Sequence, residues 1–145
     1  MLNVEDMPLE EMQSLLSRAG FGHLGCAREG RPYVVPMNYA YDGESLYLFT
    51  TEGMKTSFME ANPEVCLQVE EVESPRSWRS VMVTGRAERL TAQDERESAM
   101  QHITRTNPTL TPALNRTQLD VWGRANEVVL YRIRPAIMDG RKTVG

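Results

Sequence analysis

A lysine at the start of a short predicted helix is the residue in this sequence best placed to bind a ligand. Lys55 follows Gly53 and opens the apolar-periodic run Met54–Ala61, which Asn62-Pro63 ends. The first turn of a helix carries backbone N–H groups without partners and a partial positive charge, to which the lysine adds a full charge. The pattern predicts an anion site suited to a phosphate. A solvated loop entering a helix is the alternative, and it is the one that this short motif alone favours.

The segment before this helix is predicted to be a hairpin that brings hydroxyl groups to the same place. Pro32–Tyr41 is rich in β-branched and aromatic residues, Asp42-Gly43 is a turn signal, and Ser45–Thr50 is a second strand. Thr50 and Thr51 then stand directly before Glu52-Gly53. A strand end, two hydroxyls, a glycine and a lysine together strengthen the prediction of an anion site.

The rest of the chain supplies the elements that would hold this hairpin. We predict amphipathic helices over Leu9–Ala19 and Ala92–Thr104, and strands over Phe21–Ala27, Val65–Glu70, Trp78–Leu90 and Glu127–Arg134. Gly85 inside the long strand indicates a bulge, and Pro135 is expected to end the last strand before a polar tail. The segment Asn107–Arg116 is expected to be an ordered loop. About six mostly antiparallel strands with helices between them predict a small β-barrel of α+β character.

Length and charge exclude several classes of function. With 145 residues, the chain is expected to form a single domain over residues 1–145. The net charge is −4, with 16 basic and 20 acidic residues and no basic cluster, so we expect no nucleic-acid partner. No apolar run approaches the roughly 20 residues that span a bilayer. Since the first residues show no secretory signal, a cytoplasmic location is expected.

The cysteines and histidines do not form a pattern typical of metal or nucleophilic sites. Cys26 and Cys66 each lie in an apolar strand-like run and are expected to be buried, reduced thiols. His23 and His102 stand at no familiar zinc spacing from them and beside no serine or cysteine nucleophile signature. We therefore predict no metal site and no catalytic side chain.

The order of elements resembles the FMN-binding split barrel, the superfamily of pyridoxamine 5′-phosphate oxidase. The residues that carry the resemblance are Gly53-Met54-Lys55, Asn62-Pro63 and the strand start Trp78-Arg79-Ser80. It covers about residues 9–90 and is greatest to the nitroimidazole-resistance group. The resemblance implies an α+β, mostly β fold, namely a six-stranded antiparallel split β-barrel with Greek-key character and peripheral helices. It also implies FMN as cofactor and a homodimer with the cofactor site at the subunit interface.

The resemblance further implies which residues bind the cofactor. Lys55 would bind the phosphate, and Thr50 and Thr51 would lie near the ribityl chain and phosphate. In the oxidases an arginine precedes this lysine, where Met54 stands here, and a glutamine occupies the place of Ser80. The strand expected to line the isoalloxazine ring comprises Val35, Pro36, Met37, Asn38 and Tyr39, and the residues expected to reach FMN from the other subunit are Trp78, Arg79 and Ser80.

Several of these residues also have a structural interpretation from their types alone. Pro36 could mark an edge strand, Met37 a core position and Tyr39 a half-buried aromatic. Trp78 could serve interface packing, which does not compete with a cofactor role where dimer and cofactor site coincide. Arg79 could be a surface charge.

Two classes of function follow from the resemblance. The first is an FMN-dependent oxidoreductase that passes electrons from NADH or NADPH to a small planar acceptor such as a nitroaromatic or a quinone. The second is a non-catalytic module that holds a flavin, a deazaflavin or haem. Pyridoxamine 5′-phosphate oxidase activity is a further alternative, but those oxidases close their substrate site with a terminal tryptophan- and arginine-rich motif, and residues 132–145 contain no tryptophan.

Overall fold

The computed structural model describes residues 2–106 and 128–144, within which there are three helices and seven strands. The loop predicted over Asn107–Arg116 and the first residue of the predicted last strand, Glu127, lie outside the described residues. In chain order the elements are β1 (Asn3–Asp6), α1 (Leu9–Ala19), β2 (Phe21–Arg28), β3 (Arg31–Tyr41), β4 (Leu46–Thr51), α2 (Met54–Ala61), β5 (Glu64–Ser74), β6 (Ser77–Arg89), α3 (Gln93–Thr106) and β7 (Val128–Val144).

The strands form the predicted antiparallel barrel. Their order is β1-β7-β4-β3-β2-β5-β6, and an additional pairing of β6 with β7 closes a ring of six strands, with β1 attached outside it on β7. β5 returns to lie beside β2, the first strand of the β2-β3-β4 meander, which is a Greek-key order. The prediction of a mostly β, six-stranded split barrel with peripheral helices is confirmed.

Helices fill the two ends of the barrel. Leu15 and Leu16 of α1 are fully buried, and the Tyr39 hydroxyl donates a hydrogen bond to the Leu16 carbonyl at 2.7 Å. Phe58 and Met59 of α2 are buried in the same apolar core. α3 covers the outside of the sheet, where Ala99 and Ile103 join a second, smaller apolar cluster.

The barrel is open between β3 and β4. Their pairing covers only Tyr39–Leu48, Ala40–Tyr47 and Tyr41–Leu46, although β3 begins eight residues before Tyr39 and β4 continues to Thr51. The two strands therefore separate beyond the Tyr39–Leu48 pair. The gap opens toward the residues that lead from β4 into α2.

The predicted end of the last strand is wrong. β7 continues through Pro135 to Val144, and the expected polar tail is its second half, which also pairs with β1. Pro135 lies opposite Gly85 where the β6–β7 register shifts, as the predicted bulge at Gly85 requires. A bulge is a place where a strand can lack one N–H, so proline is tolerated there. A side chain on Gly85 would lie 2.5 Å from the Arg134 carbonyl oxygen, which explains the glycine.

Candidate functional site

The start of α2 is fixed by hydrogen bonds within its own first turn. The Gly53 N–H donates to the Thr56 hydroxyl at 2.9 Å, and that hydroxyl lies 3.0 Å from a Glu52 carboxylate oxygen. Thr56 is 1% exposed. Because the turn is held by a buried side chain, the backbone around Lys55 is pre-positioned rather than dependent on a ligand for its shape.

An ion-pair network ties this turn to the barrel wall. Arg89 of β6 donates to the carboxylates of Glu52 and Glu60, and the Tyr131 hydroxyl of β7 donates to Glu60 at 2.7 Å. Hydrogen bonding from Arg89 lowers the pKa of Glu52, and hydrogen bonds from Tyr131 and Arg89 lower the pKa of Glu60. Burial and the bond to Glu60 raise the pKa of Tyr131. Both carboxylates at this helix are thus held by hydrogen bonds within the fold, and they share the single positive charge of Arg89.

Lys55 itself is left uncompensated. It is half-buried, and it has neither a hydrogen-bond nor an ion-pair partner within residues 2–106 and 128–144. It stands four residues after Thr51, where the gap between β3 and β4 opens. Thr50, Thr51 and Lys55 therefore lie at one end of the barrel, where Thr50 is 7% exposed and its hydroxyl is 3.5 Å from the Thr51 carbonyl oxygen. Their role as an anion site stays a prediction.

The residues predicted on β3 are divided between the two faces of the sheet. Met37 and Tyr39 are buried in the barrel, and burial raises the pKa of Tyr39 to about 12. Val35 packs against the same core. Pro36 and Asn38 alternate with these residues and so lie on the outer face. Of the predicted strand, only Pro36 and Asn38 can offer side chains to a ligand outside the barrel, and the other three can offer backbone groups.

The outer face carries a row of small and apolar residues that runs across five strands. Residues opposite one another in antiparallel pairs point to the same side. The row comprises Val34, Gly25, Cys66, Thr84 and Ile137. Val34 is 66% and Ile137 57% exposed. Of the two cysteines predicted to be buried, Cys26 is in the core, whereas Cys66 is half-buried on this outer face.

A hollow of about 450 Å³ lies on this face. It is open to one side, and its volume falls within the usual range for small-molecule sites. Its lining is mainly apolar and includes Gly25, Val34, Cys66 and Thr84. The missing side chain of Gly25 leaves room for Cys66, whose sulfur would lie 2.9 Å from a Cβ at that position. A flat apolar group could pack against this hollow, but the described residues of one chain would leave its other side exposed to solvent.

The residues predicted at the start of β6 lie far from Lys55 in the same chain. Trp78 precedes Arg89, the residue bound to Glu52, by eleven positions along β6, or roughly 35 Å at the usual rise of a strand. Trp78 and Ser80 lie on the outer face, in register with Val72 and Glu70 of β5. One chain therefore does not bring Trp78 and Lys55 together.

Unlike Trp78 and Ser80, Arg79 forms an ion pair within its own chain. Its side chain is 3.2 Å from a Glu71 carboxylate oxygen, and the same carboxylate binds Arg18 of α1 at 2.9 Å. This contact ties α1 to the end of the β5–β6 hairpin. Arg79 thus has a contact within the fold, and its predicted contact with FMN stays a prediction.

Sequence reasoning missed Arg28, which lies against α2. Its guanidinium donates to the Ser57 hydroxyl at 2.8 Å and stacks 4.8 Å from the centre of the Phe58 ring. Arg28 ends β2, 27 positions before Lys55, so no local motif links the two. Its only signal in the sequence is a cation placed directly before the tight turn at Glu29-Gly30.

A family model confirms the predicted resemblance. The model described as pyridoxamine 5′-phosphate oxidase matches residues 8–142, nearly the whole chain. The chain belongs to the pyridoxamine 5′-phosphate oxidase family. A relative from Rhizobium meliloti, described only as an uncharacterized protein, is 43% identical over 89 residues. That match covers 61% of this chain and 59% of the relative, so the chain spans less than two thirds of its length.

Solved structures of the pyridoxamine 5′-phosphate oxidase fold match over the full chain. A protein from Mesorhizobium loti described as FAD-binding is 32% identical, with complete coverage of both chains and a TM-score of 0.78. A candidate 5-nitroimidazole antibiotic resistance protein from Bacteroides thetaiotaomicron is 23% identical, with a TM-score of 0.75 over 99% of this chain and 89% of its own. At that identity the second match shows the fold alone.

The helices give no sign of a membrane segment. Across residues 2–106 and 128–144, none is both long enough and apolar enough to cross a bilayer.

Proposed function

We propose that this chain is an FMN-binding oxidoreductase that passes electrons from a reduced nicotinamide to a small planar acceptor such as a nitroaromatic or a quinone. The observation that carries the proposal is the uncompensated Lys55 at a pre-positioned helix start beside the open β3–β4 gap. A flavin phosphate would supply the missing negative charge. The Mesorhizobium loti relative, described as FAD-binding, supports a flavin as the ligand class.

The residues of the chain would bind and orient the cofactor rather than react with it. Lys55 would hold the phosphate, Thr50 and Thr51 would lie along the ribityl chain, and Pro36 and Asn38 would lie beside the ring. When bound, the flavin supplies the electron-transfer chemistry. The apolar outer face would exclude water from the ring, which favours electron transfer to an acceptor over side reactions.

We further propose a homodimer with a shared site. The exposed apolar residues Val34, Val72 and Ile137 all lie on the outer face, where a second copy would cover them. A two-fold axis across this face would place Trp78 and Ser80 of the partner subunit over the hollow beside β3. Sedimentation at micromolar concentration is expected to give a dimer, and a stable, folded monomer would refute this arrangement.

The partners that we expect are therefore a second copy, a small-molecule acceptor and NADH or NADPH. We expect neither a nucleic-acid nor a membrane partner, and we expect the protein to act in the cytoplasm.

The proposal is tested by the spectrum and turnover of the purified protein. We expect a yellow protein with flavin absorbance, release of FMN on denaturation, and oxidation of NADH or NADPH in the presence of a nitroaromatic or a quinone. Release of FAD instead of FMN would show that the proposed cofactor is wrong and that the protein binds FAD. Coloured protein without turnover would favour a carrier or sensor module that holds flavin, deazaflavin or haem, and a colourless protein that binds no added flavin would refute the proposal.

A further inference from the structure

The start of α2 presents less positive charge than a flavin phosphate requires. A phosphate monoester carries about 1.5 to 2 negative charges near neutral pH, and Lys55 neutralises only one of them. In the oxidases that the chain resembles, an arginine precedes this lysine. Here that position is Met54, whose side chain is 60% exposed and carries no charge.

A guanidinium from another strand lies on the same side of the helix as Met54. Arg28 binds Ser57 at 2.8 Å and stacks on Phe58 at 4.8 Å. Ser57 and Phe58 are three and four positions after Met54, and residues at these spacings are neighbours on a helix surface. The Arg28 guanidinium therefore occupies the surface of α2 one turn below Met54.

Arg28 has no carboxylate partner. Within the described residues its one hydrogen-bond partner is Ser57, which leaves most of its N–H groups available to a ligand. Most of the described cations are instead ion-paired, namely Arg18, Arg79, Arg86, Arg89, Arg132, Arg134, Arg141 and Lys142.

The hairpin end places a second positive charge directly opposite Arg28. Arg28 pairs with Arg31 across the β2–β3 turn, and like charges at opposite positions destabilise a hairpin. Arg31 is exposed and has no ion-pair partner among the described residues. An anion bound near Arg28 would relieve this repulsion.

We propose that Arg28 is a second phosphate-binding residue, which takes the place of the arginine missing at Met54. This rests on the proposed function, in which Lys55 holds the flavin phosphate. Stacking on Phe58 restrains the planar guanidinium, so its fork can bind two phosphate oxygens with little loss of side-chain freedom. The phosphate can be the single group of FMN or the diphosphate of FAD, and the two are separated by the experiment.

The test is flavin titration of the full-length protein and three variants. We expect Arg28→Gln to weaken FMN binding about tenfold, the usual effect of losing a charge-assisted hydrogen bond, and to leave riboflavin binding unchanged. Arg31→Gln is the matched control, because it removes the same charge from the same hairpin end without a contact to α2. The double variant Arg28→Gln, Met54→Arg should recover FMN affinity. If Arg28 contacts the second phosphate of a dinucleotide, its loss should weaken FAD binding more than FMN binding.

Three outcomes would overturn the proposal for Arg28. These are unchanged FMN and FAD affinity in Arg28→Gln, an equal loss for riboflavin, and an equal loss in Arg31→Gln, which would show a long-range effect of charge. In each case the wild-type protein still binds flavin, so the proposed function survives. A wild-type protein that binds no flavin would instead refute the proposed function and this inference together. Thermal unfolding without flavin checks that each variant is folded.

Discussion

Replacing Lys55 by alanine should weaken FMN binding without unfolding the protein. Lys55 has no hydrogen-bond or ion-pair partner within the described residues, so its removal breaks no contact of the fold. The helix start is held instead by the Gly53–Thr56 hydrogen bond and by Arg89 on Glu52. The protein without flavin should therefore melt at nearly the same temperature as the wild type. Only the affinity for FMN should fall.

The size of this loss follows from the geometry of the site. A charge-assisted hydrogen bond contributes about 1.5 to 3 kcal/mol, which corresponds to roughly a ten- to hundredfold increase in Kd. Because Lys55 is half-buried and is not neutralised by a carboxylate of its own, the loss should lie within this range rather than near zero, as it often does for exposed pairs.

Fluorescence titration with FMN and with riboflavin measures the loss and its cause. Riboflavin has the ring and the ribityl chain without the phosphate, so its already weaker binding should be nearly the same in the wild type and in Lys55→Ala. Raising the salt concentration should reduce the difference between the two proteins for FMN, because the interaction lost is one between charges. Equal losses for FMN and riboflavin, or no loss for either, would reject Lys55 as the phosphate anchor.

Three further predictions concern the interface, the acid stability and the barrel closure. Trp78→Ala should lower flavin occupancy and weaken the dimer together, since one aromatic would serve both, and unchanged sedimentation and flavin content would make it a surface residue. The pKa of Glu52 is lower in the folded protein than in the unfolded chain, because Arg89 binds its carboxylate. The Glu52–Arg89 pair therefore stabilises the fold fully above about pH 4.3, the usual glutamate pKa. The stabilisation is lost as the pH falls through the pKa of Glu52 in the folded protein. The melting temperature of Arg89→Gln should therefore fall less between pH 6 and pH 3 than that of the wild type. An equal fall in both proteins would contradict this. Gly85→Val should cost about 1 to 3 kcal/mol in denaturant unfolding, because its side chain would meet the β7 backbone. Gly53→Ala, where a side chain would meet nothing within 4 Å, should cost little.

The local signals in the sequence predicted most elements of the fold. α1 and α2 have the predicted bounds, since apolar spacing, Gly20 and Asn62-Pro63 mark where they begin and end. The bulge at Gly85 is also found. The continuation of β7 through Pro135 was missed, because a proline in a strand is tolerated only where the partner strand supplies a bulge, which is a property of the pairing. β1 was missed because its four residues are all exposed and show no apolar alternation.

The candidate site could be predicted only where it is local in sequence. Thr50, Thr51 and Lys55 lie within six positions, and the turn into α2 keeps them together. The resemblance placed all five residues of β3 beside the ring, whereas residue type alone gave Met37 as a core position and Tyr39 as half-buried, and both are buried. Which residues of β3 face outward is decided by its pairing with β2 in the closed barrel. Arg28 depends on a contact between β2 and α2, which appears only once the barrel is closed.

The shared site is the central claim, and subunit complementation tests it most directly. Lys55→Ala and Trp78→Ala chains carrying different tags are co-expressed, and the dimer that holds one of each is purified. If each site takes Lys55 from one chain and Trp78 from its partner, one of the two sites in this mixed dimer is intact and the other lacks both residues. We predict that the mixed dimer binds FMN with wild-type affinity at about half the wild-type stoichiometry, whereas both parent dimers bind weakly. A mixed dimer in which both sites are as weak as those of the parents would contradict the claim.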